Sequence, residues 1–282
     1  MRPRPEALAL GERWKLGFDR TPPRGPAGER LARGTGASLE FHDRRSYVAG
    51  DDVRHLDWRA YARTDQLLVR QWREEVLARC EILLDVSRSM EIEPRKAQLA
   101  VDLAGLFSRA AAESGALAVV LPLDSQPRQV SVAEFEREGV TFEGRASLGD
   151  ALRGVGGLCR RGAMTLVISD FLSPHDAAEL VRPLAARAGA LGMIQVLAQE
   201  DMEPPLGRAA RMTDCESDET LDIVLDATTV ARYVERLERL QGALEENALR
   251  AGARFSRLIA SSALEDQCRA YLAPQGFLVP AH

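Results

Sequence analysis

The chain has 282 residues, 45% of them hydrophobic, which gives it enough apolar surface for a substantial core and excludes a disordered class. At about 150 residues per domain the length points to roughly two domains. The formal charge of −5 is uneven, with 15 basic and 12 acidic residues through Glu75 and 22 and 30 beyond it, so global charge excludes a nucleic-acid binder.

Of the 37 basic residues only Lys15 and Lys96 are lysine, a skew that reads as coding bias, so runs of arginine carry little information. No run reaches the roughly 18 apolar residues of a membrane span. The opening Met1-Arg-Pro-Arg-Pro lacks the apolar stretch of a signal peptide, so the expected location is cytoplasmic. Cys80, Cys159, Cys215 and Cys268 lie more than fifty residues apart, unlike zinc-site spacing or a secreted disulfide framework, and read as reduced structural thiols.

Residues 1–35 hold five prolines and five glycines and are expected to form an extended, irregular lead-in, although Leu8, Leu10, Trp14, Leu16 and Phe18 offer docking side chains. Residues 36–78 alternate short apolar stretches with the turn signals Gly50-Asp51-Asp52 and Thr64-Asp65, which predicts a small strand-rich module. Within it Asp51, Asp52, Arg54, Asp57 and Arg63 are expected to form charge-assisted hydrogen bonds, with a partner-docking surface as the alternative. Trp58 is expected to be a packing anchor.

Residues 79–282 have a different texture. Ile82–Leu84, Leu117–Leu121, Thr165–Ile168, Met193–Leu197 and Phe255–Ile259 are short apolar runs separated by helical stretches. That alternation predicts an α/β domain with a doubly wound, mostly parallel sheet. Leu99, Leu103, Leu106 and Ala110 recur at helical spacing, as do Val230, Tyr233, Val234, Leu237, Leu240 and Leu244. Ser173-Pro174-His175-Asp176 reads as a helix start capped by Ser173.

Ligands of such sheets bind beyond the carboxyl ends of the strands. There the sequence places Asp85-x-Ser87-x-Ser89 after the first apolar run, Ser169-Asp170 after the third, and between them Ser147 in a turn that opens a helix. Hard oxygen donors of this kind suit magnesium. Ser147-x-x-Asp150 is equally a helix cap, and Thr141 is the fallback hydroxyl for the second loop.

Asp85-x-Ser87-x-Ser89 with a later strand-end Asp170 resembles the metal-ion-dependent adhesion site of von Willebrand factor A domains. The resemblance implies that Ser87 and Ser89 contact the ion directly, with Ser147 where the family has threonine. Asp85 and Asp170 would hold coordinated waters, and a partner's acidic side chain would complete the shell. The ion would be Mg2+, or Mn2+ or Ca2+.

A second resemblance rests on Glu40-Phe41, Arg44-x-x-Tyr47, Gly50-Asp51-Asp52-x-Arg54, Asp57-Trp58, Ala62-Arg63, Glu74-Glu75, Ile168-Ser169-Asp170-Phe171 and Glu203-x-Pro205-x-Gly207. In that order, from about Gly36 to about Leu278, these resemble the bacterial domain-of-unknown-function family numbered fifty-eight, whose members carry a von Willebrand factor A-like domain. Its members commonly accompany MoxR-type ATPases of the AAA+ superfamily. The expectation is therefore a non-catalytic, metal-assisted protein-interaction adaptor with such an ATPase as partner.

Two alternatives stand beside it. One is a metal-free scaffold of the same fold. The other is a magnesium-dependent phosphohydrolase using Asp85 as nucleophile. Against the hydrolase, Ser87 stands where a second aspartate is expected, and Lys96, only eleven residues beyond Asp85, lies too near in sequence to be a lysine from a later loop. No Walker motif or Gly-x-Ser-x-Gly elbow is present.

Overall fold

The computed structural model describes residues 1–17, 39–48, 51–52, 54, 56–74, 78–173, 175–205, 209–213, 220–224 and 226–281. The expectations that fall on residues 18–35 with Phe18, and on Gly36, Gly50, Glu75, Pro174, Gly207 and Cys215, lie outside them. The chain divides into two units, Met1–Arg24 with Ala78–His282, and Gly25–Leu77.

The larger unit begins with α1 (Pro5–Gly11) and β1 (Trp14–Leu16). The smaller unit supplies β2 (Leu39–Ser46), α2 (Trp58–Thr64) and β3 (Leu68–Glu74). The chain then returns with β4 (Arg79–Asp85), α3 (Arg88–Glu91), α4 (Pro94–Glu113), β5 (Leu117–Leu123), β6 (Val130–Ser131) and α5 (Val132–Glu138). Next come α6 (Leu148–Val155), β7 (Met164–Ser169), α7 (Ala177–Arg187), β8 (Ala190–Leu197) and α8 (Gln199–Met202). The last elements are β9 (Ala209–Thr213), β10 (Thr220–Val224), α9 (Ala227–Arg250), β11 (Arg254–Ile259), α10 (Leu264–Gln267) and β12 (Leu278–Pro280).

All five apolar runs become parallel strands of one six-stranded sheet, ordered β11-β8-β7-β4-β5-β6, in which only the edge strand β6 is antiparallel. Successive side chains of a strand face opposite ways. Ile82 and Leu84 of β4 therefore join Leu99, Leu103 and Leu106 of α4 in one core, while Leu83 joins Leu148 of α6, Val181 of α7 and Leu244 of α9 in another. Helices on both faces bury the sheet twice, which is why its strands read as continuous apolar runs.

From β4 the chain runs outward to β5 and then crosses back to β7 on the other side. The strand order reverses at the carboxyl ends of β4 and β7, the place where such sheets bind ligands.

Residues 1–17 depart from the extended lead-in. Arg4 donates through its backbone N–H and its Nε to the two oxygens of the fully buried Asp102, at 2.8 and 2.7 Å, which ties the start of α1 to α4. The two helices approach closely because glycines line their contact: a Cβ on Gly105 would lie 2.7 Å from Cβ of Pro3, and one on Gly11 would lie 2.5 Å from the Leu106 carbonyl. β1 then pairs antiparallel with β12, Trp14 opposite Pro280 and Leu16 opposite Leu278. Proline and glycine serve here to bring chain segments together, which local reading takes for irregularity.

In the smaller unit β2 and β3 form an antiparallel pair, as a strand-rich module requires. Its charged residues act locally: Asp52 pairs with Arg54, Asp51 accepts the Val48 N–H, and Asp57 caps α2 by accepting the Ala60 N–H. Trp58 is not the expected anchor. As the first residue of α2 it is 59% exposed and meets Tyr61 edge-on, because Asp57 rather than the indole holds the start of the helix.

The cap of α7 is also displaced from its expected place. Asp176, not Ser173, accepts the N–H groups of Ala178 and Glu179, since a carboxylate at this position reaches two donors of the first turn.

Candidate functional site

β4 is buried along its whole length and ends in Asp85, so the chain delivers a carboxylate to this edge from the centre of the sheet. Asp85 Oδ1 accepts the Ser87 N–H at 2.9 Å, and Oδ2 accepts the Ser169 hydroxyl at 2.5 Å. The first bond folds the Asp85–Ser87 turn back on itself. Ser87 then heads α3, and its hydroxyl lies 2.9 Å from that of Ser89, so the alternate serines do converge.

Burial, and secondarily the charge of Asp170, push the Asp85 carboxyl up to about 6, against the pull of its hydrogen bonds from Ser169 and Ser87. Asp170 is buried beyond the end of β7, with Oδ1 accepting the Leu172 N–H at 3.0 Å. The next residue, Phe171, holds a positive φ of 55° that non-glycine residues rarely adopt, and its ring is fully buried. Such strain, of order 1–3 kcal/mol, persists where the surroundings over-determine it and clusters at functional sites.

The second loop joins the first at Gly144. Its N–H donates to the Val86 carbonyl at 3.0 Å, and its own carbonyl accepts from Arg88 at 3.2 Å. A Cβ there would press on the Val86 carbonyl at 3.0 Å, so this approach favours glycine. Ser147, three residues on, is engaged with its own helix: its hydroxyl donates to Asp150 Oδ2 at 2.7 Å and accepts the Asp150 N–H at 3.2 Å. Thr141 is exposed.

Ser147→Ala is accordingly expected to cost about 1 kcal/mol as a lost cap. The cost should be the same with and without divalent ions, measured by thermal denaturation in both conditions. A loss appearing only with the ion would make Ser147 a ligand.

The residue that sequence reasoning set aside is Lys96. It lies three residues into α4, 4% exposed, and its ammonium donates to Asp170 Oδ2 at 2.8 Å and stands 3.5 Å from Asp201 Oδ2. Burial pulls its pKa down, but Asp170 and then Asp201 outweigh that and the net shift is upward, so the ammonium is charged. Nearness to Asp85 in sequence concealed this, because α3 and the turn into α4 carry the lysine round to the end of β7. The available signal was composition: a lysine where nearly every cation is arginine.

No group of three or more His, Cys, Asp or Glu side chains is placed to hold a metal among the described residues. This edge instead brings the buried Asp85 and Asp170 carboxylates together with serine hydroxyls. Cys80, Cys159 and Cys268 are free thiols pushed by burial up to about 12, 11 and 12, which makes them poor nucleophiles and fits structural cysteines.

Among the described residues no helix is long and apolar enough to cross a membrane. The chain is 27% identical over 215 residues to uncharacterized proteins of Mycobacterium bovis and Mycobacterium tuberculosis, matches that cover 71% of this chain and 68% of theirs. Among solved structures it is similar to the conserved hypothetical protein BatB of Bacteroides thetaiotaomicron, at 15% identity and a TM-score of 0.43 over 70% of this chain and 98% of that one. It is also similar to an aerotolerance-related membrane protein of Bacteroides fragilis, at 12% identity and a TM-score of 0.36 over 70% and 99%.

The family model described as "Protein of unknown function DUF58" matches residues 43–243, a span somewhat shorter at both ends than the motifs alone outline. With well over half of its length inside that match, the chain belongs to the DUF58 family.

Proposed function

We propose that this chain is a non-catalytic protein-interaction adaptor built on a von Willebrand factor A-like domain, docking partners at the carboxyl edge of β4 and β7. In this reading a divalent ion, Mg2+ or else Mn2+ or Ca2+, bridges the edge to an acidic side chain of the partner. The observation that carries it is the convergence of the Ser87 and Ser89 hydroxyls beside Asp85, whose carboxyl also feels the charge of Asp170.

This donor set fits a hard cation that keeps part of its water shell. Ser87 and Ser89 would hold the ion, and Asp85 and Asp170 would supply charge directly or through water. Ser147 would join them only by giving up its bond to Asp150. Replacing a coordinated water by a carboxylate couples two opposite charges as both are partly desolvated, which makes affinity depend on the ion.

The partner suggested by the family resemblance is a MoxR-type AAA+ ATPase, and the location proposed from the sequence is the cytoplasm. A hydrolase acting through Asp85 is disfavoured, because the general-acid position two residues on is Ser87. The second reading, a metal-free scaffold of the same fold, is favoured by one observation: Lys96 already neutralises Asp170.

Titration with manganese, free ion being read by electron paramagnetic resonance, tests the proposal. One saturable site is expected, competed by magnesium and lost in Asp85→Ala and Ser89→Ala with circular dichroism unchanged. Capture of a MoxR-type ATPase should fail in chelator and with both variants. Capture that survives chelation and Asp85→Ala would select the metal-free scaffold.

A further inference from the structure

We infer that the Lys96 ammonium is the resident cation of this edge, holding Asp170 in place when no metal is bound and setting how tightly a divalent ion binds. The inference rests on the metal-site reading above and adds to it a residue that the adhesion-site pattern does not contain.

Four observations carry it. The ion pair is dry on both sides, with Lys96 and Asp170 side chains 5% and 4% exposed. Both oxygens of Asp170 are engaged, one by Lys96 and one by the Leu172 N–H, so an ion drawing on this carboxylate has to share it. Lys96 sits in the first turn of α4, after Glu93 at the cap and Pro94 at the first helical position. A cation there opposes the helix dipole, so helix electrostatics do not account for it, whereas the carboxylates it meets do.

The fourth observation is the charge sum. Asp170 and Asp201 face the one ammonium and Asp170 in turn bears on Asp85, so with all three carboxylates ionised the group keeps two net negative charges. One divalent ion would neutralise it. The lysine therefore weakens the site for a cation without abolishing it, and keeps the Asp170 loop and its strained Phe171 ordered without one. Arginine would serve this role less well, because a planar guanidinium needs more room than a compact ammonium on a flexible stem.

The test compares manganese uptake by the wild-type chain with that of Lys96→Met and Lys96→Gln, again by electron paramagnetic resonance. Both variants are expected to bind at least tenfold more tightly, and to lose binding when Asp85→Ala is added. In chelator both should melt below the wild type, and manganese should raise their Tm more than it raises that of the wild type, since a ligand that binds only the folded state stabilises in proportion to its affinity.

Equal uptake by wild type and variants would overturn the role of Lys96 and leave the metal reading standing. Uptake by the variants alone would support the role of Lys96 and remove the metal from the native protein. No uptake by any folded form would overturn both.

If the variants do not fold, the wild type answers alone. With only two lysines in the chain, 15N-lysine labelling gives two side-chain ammonium signals. Magnesium should shift that of Lys96 with saturation and leave that of Lys15 in place. A Lys96 signal unmoved by magnesium overturns the inference.

Discussion

Deletion of residues 1–17 is expected to lower the Tm of the α/β unit by roughly 10 °C or more, at about 2–4 °C per kcal/mol for a unit of this size. Three large side chains of the segment, Leu10, Trp14 and Leu16, are buried against the core of α4 and β12. At about 1.5–3 kcal/mol for each, their loss alone removes roughly 5–9 kcal/mol. The deletion also strips the fully buried Asp102 of both Arg4 bonds and leaves the Leu16 partner on Ser114 Oγ unmade. Calorimetry of the deleted chain checks this, with a synthetic peptide of residues 1–17 expected to restore part of the loss. A Tm within about 3 °C of the parent would show that the segment lies on the core without being part of it.

The same segment shows why part of the fold escapes a reading of sequence. β4 is legible because a parallel strand covered on both faces has to be apolar throughout, and the four other parallel strands follow the same rule. α1 offers only seven residues, too few to declare a helix by local propensity, and β1 has its partner at the other end of the sequence. Both exist through tertiary contacts that no local window contains. Trp58 fails in the opposite way: large apolar residues are often buried, but finding one gives no assurance that a core receives it.

The candidate site divides along the same line. Asp85 and Asp170 were legible because strand ends of a doubly wound sheet converge by topology, and the alternation of Ser87 and Ser89 survives as a direct hydroxyl contact. Lys96 was not, since its position depends on where α3 ends and α4 begins. Ser147 supports both a ligand and a cap in sequence, and its bonds to Asp150 assign it the cap.

Asp85→Asn is expected to stabilise the metal-free protein at pH 8 and to have little effect near pH 4. Asp85 is buried, and its carboxyl is pushed up to about 6 by burial and by Asp170, against an ordinary 3.8. The folded chain therefore binds this proton more tightly than the unfolded chain. Stability associated with Asp85 is present below about pH 4 and is lost as the pH rises through about 6, when the buried carboxylate ionises. The rise of the Asp85 carboxyl from 3.8 to about 6 corresponds to about 3 kcal/mol. Asparagine keeps the shape, accepts the Ser87 N–H, and can donate to Ser169 Oγ in place of accepting from it. Melting curves across pH 4–8 in chelator read the effect as a gap that opens above about pH 4 and is complete above about pH 6. Manganese at pH 8 should then raise the Tm of the wild type and leave Asp85→Asn unmoved, because the cation relieves the charge that the variant lacks. If Asp85→Asn is instead the less stable protein at pH 8 in chelator, Asp85 serves as a structural acceptor for Ser87 and Ser169, and the edge holds no stored charge for a cation to neutralise.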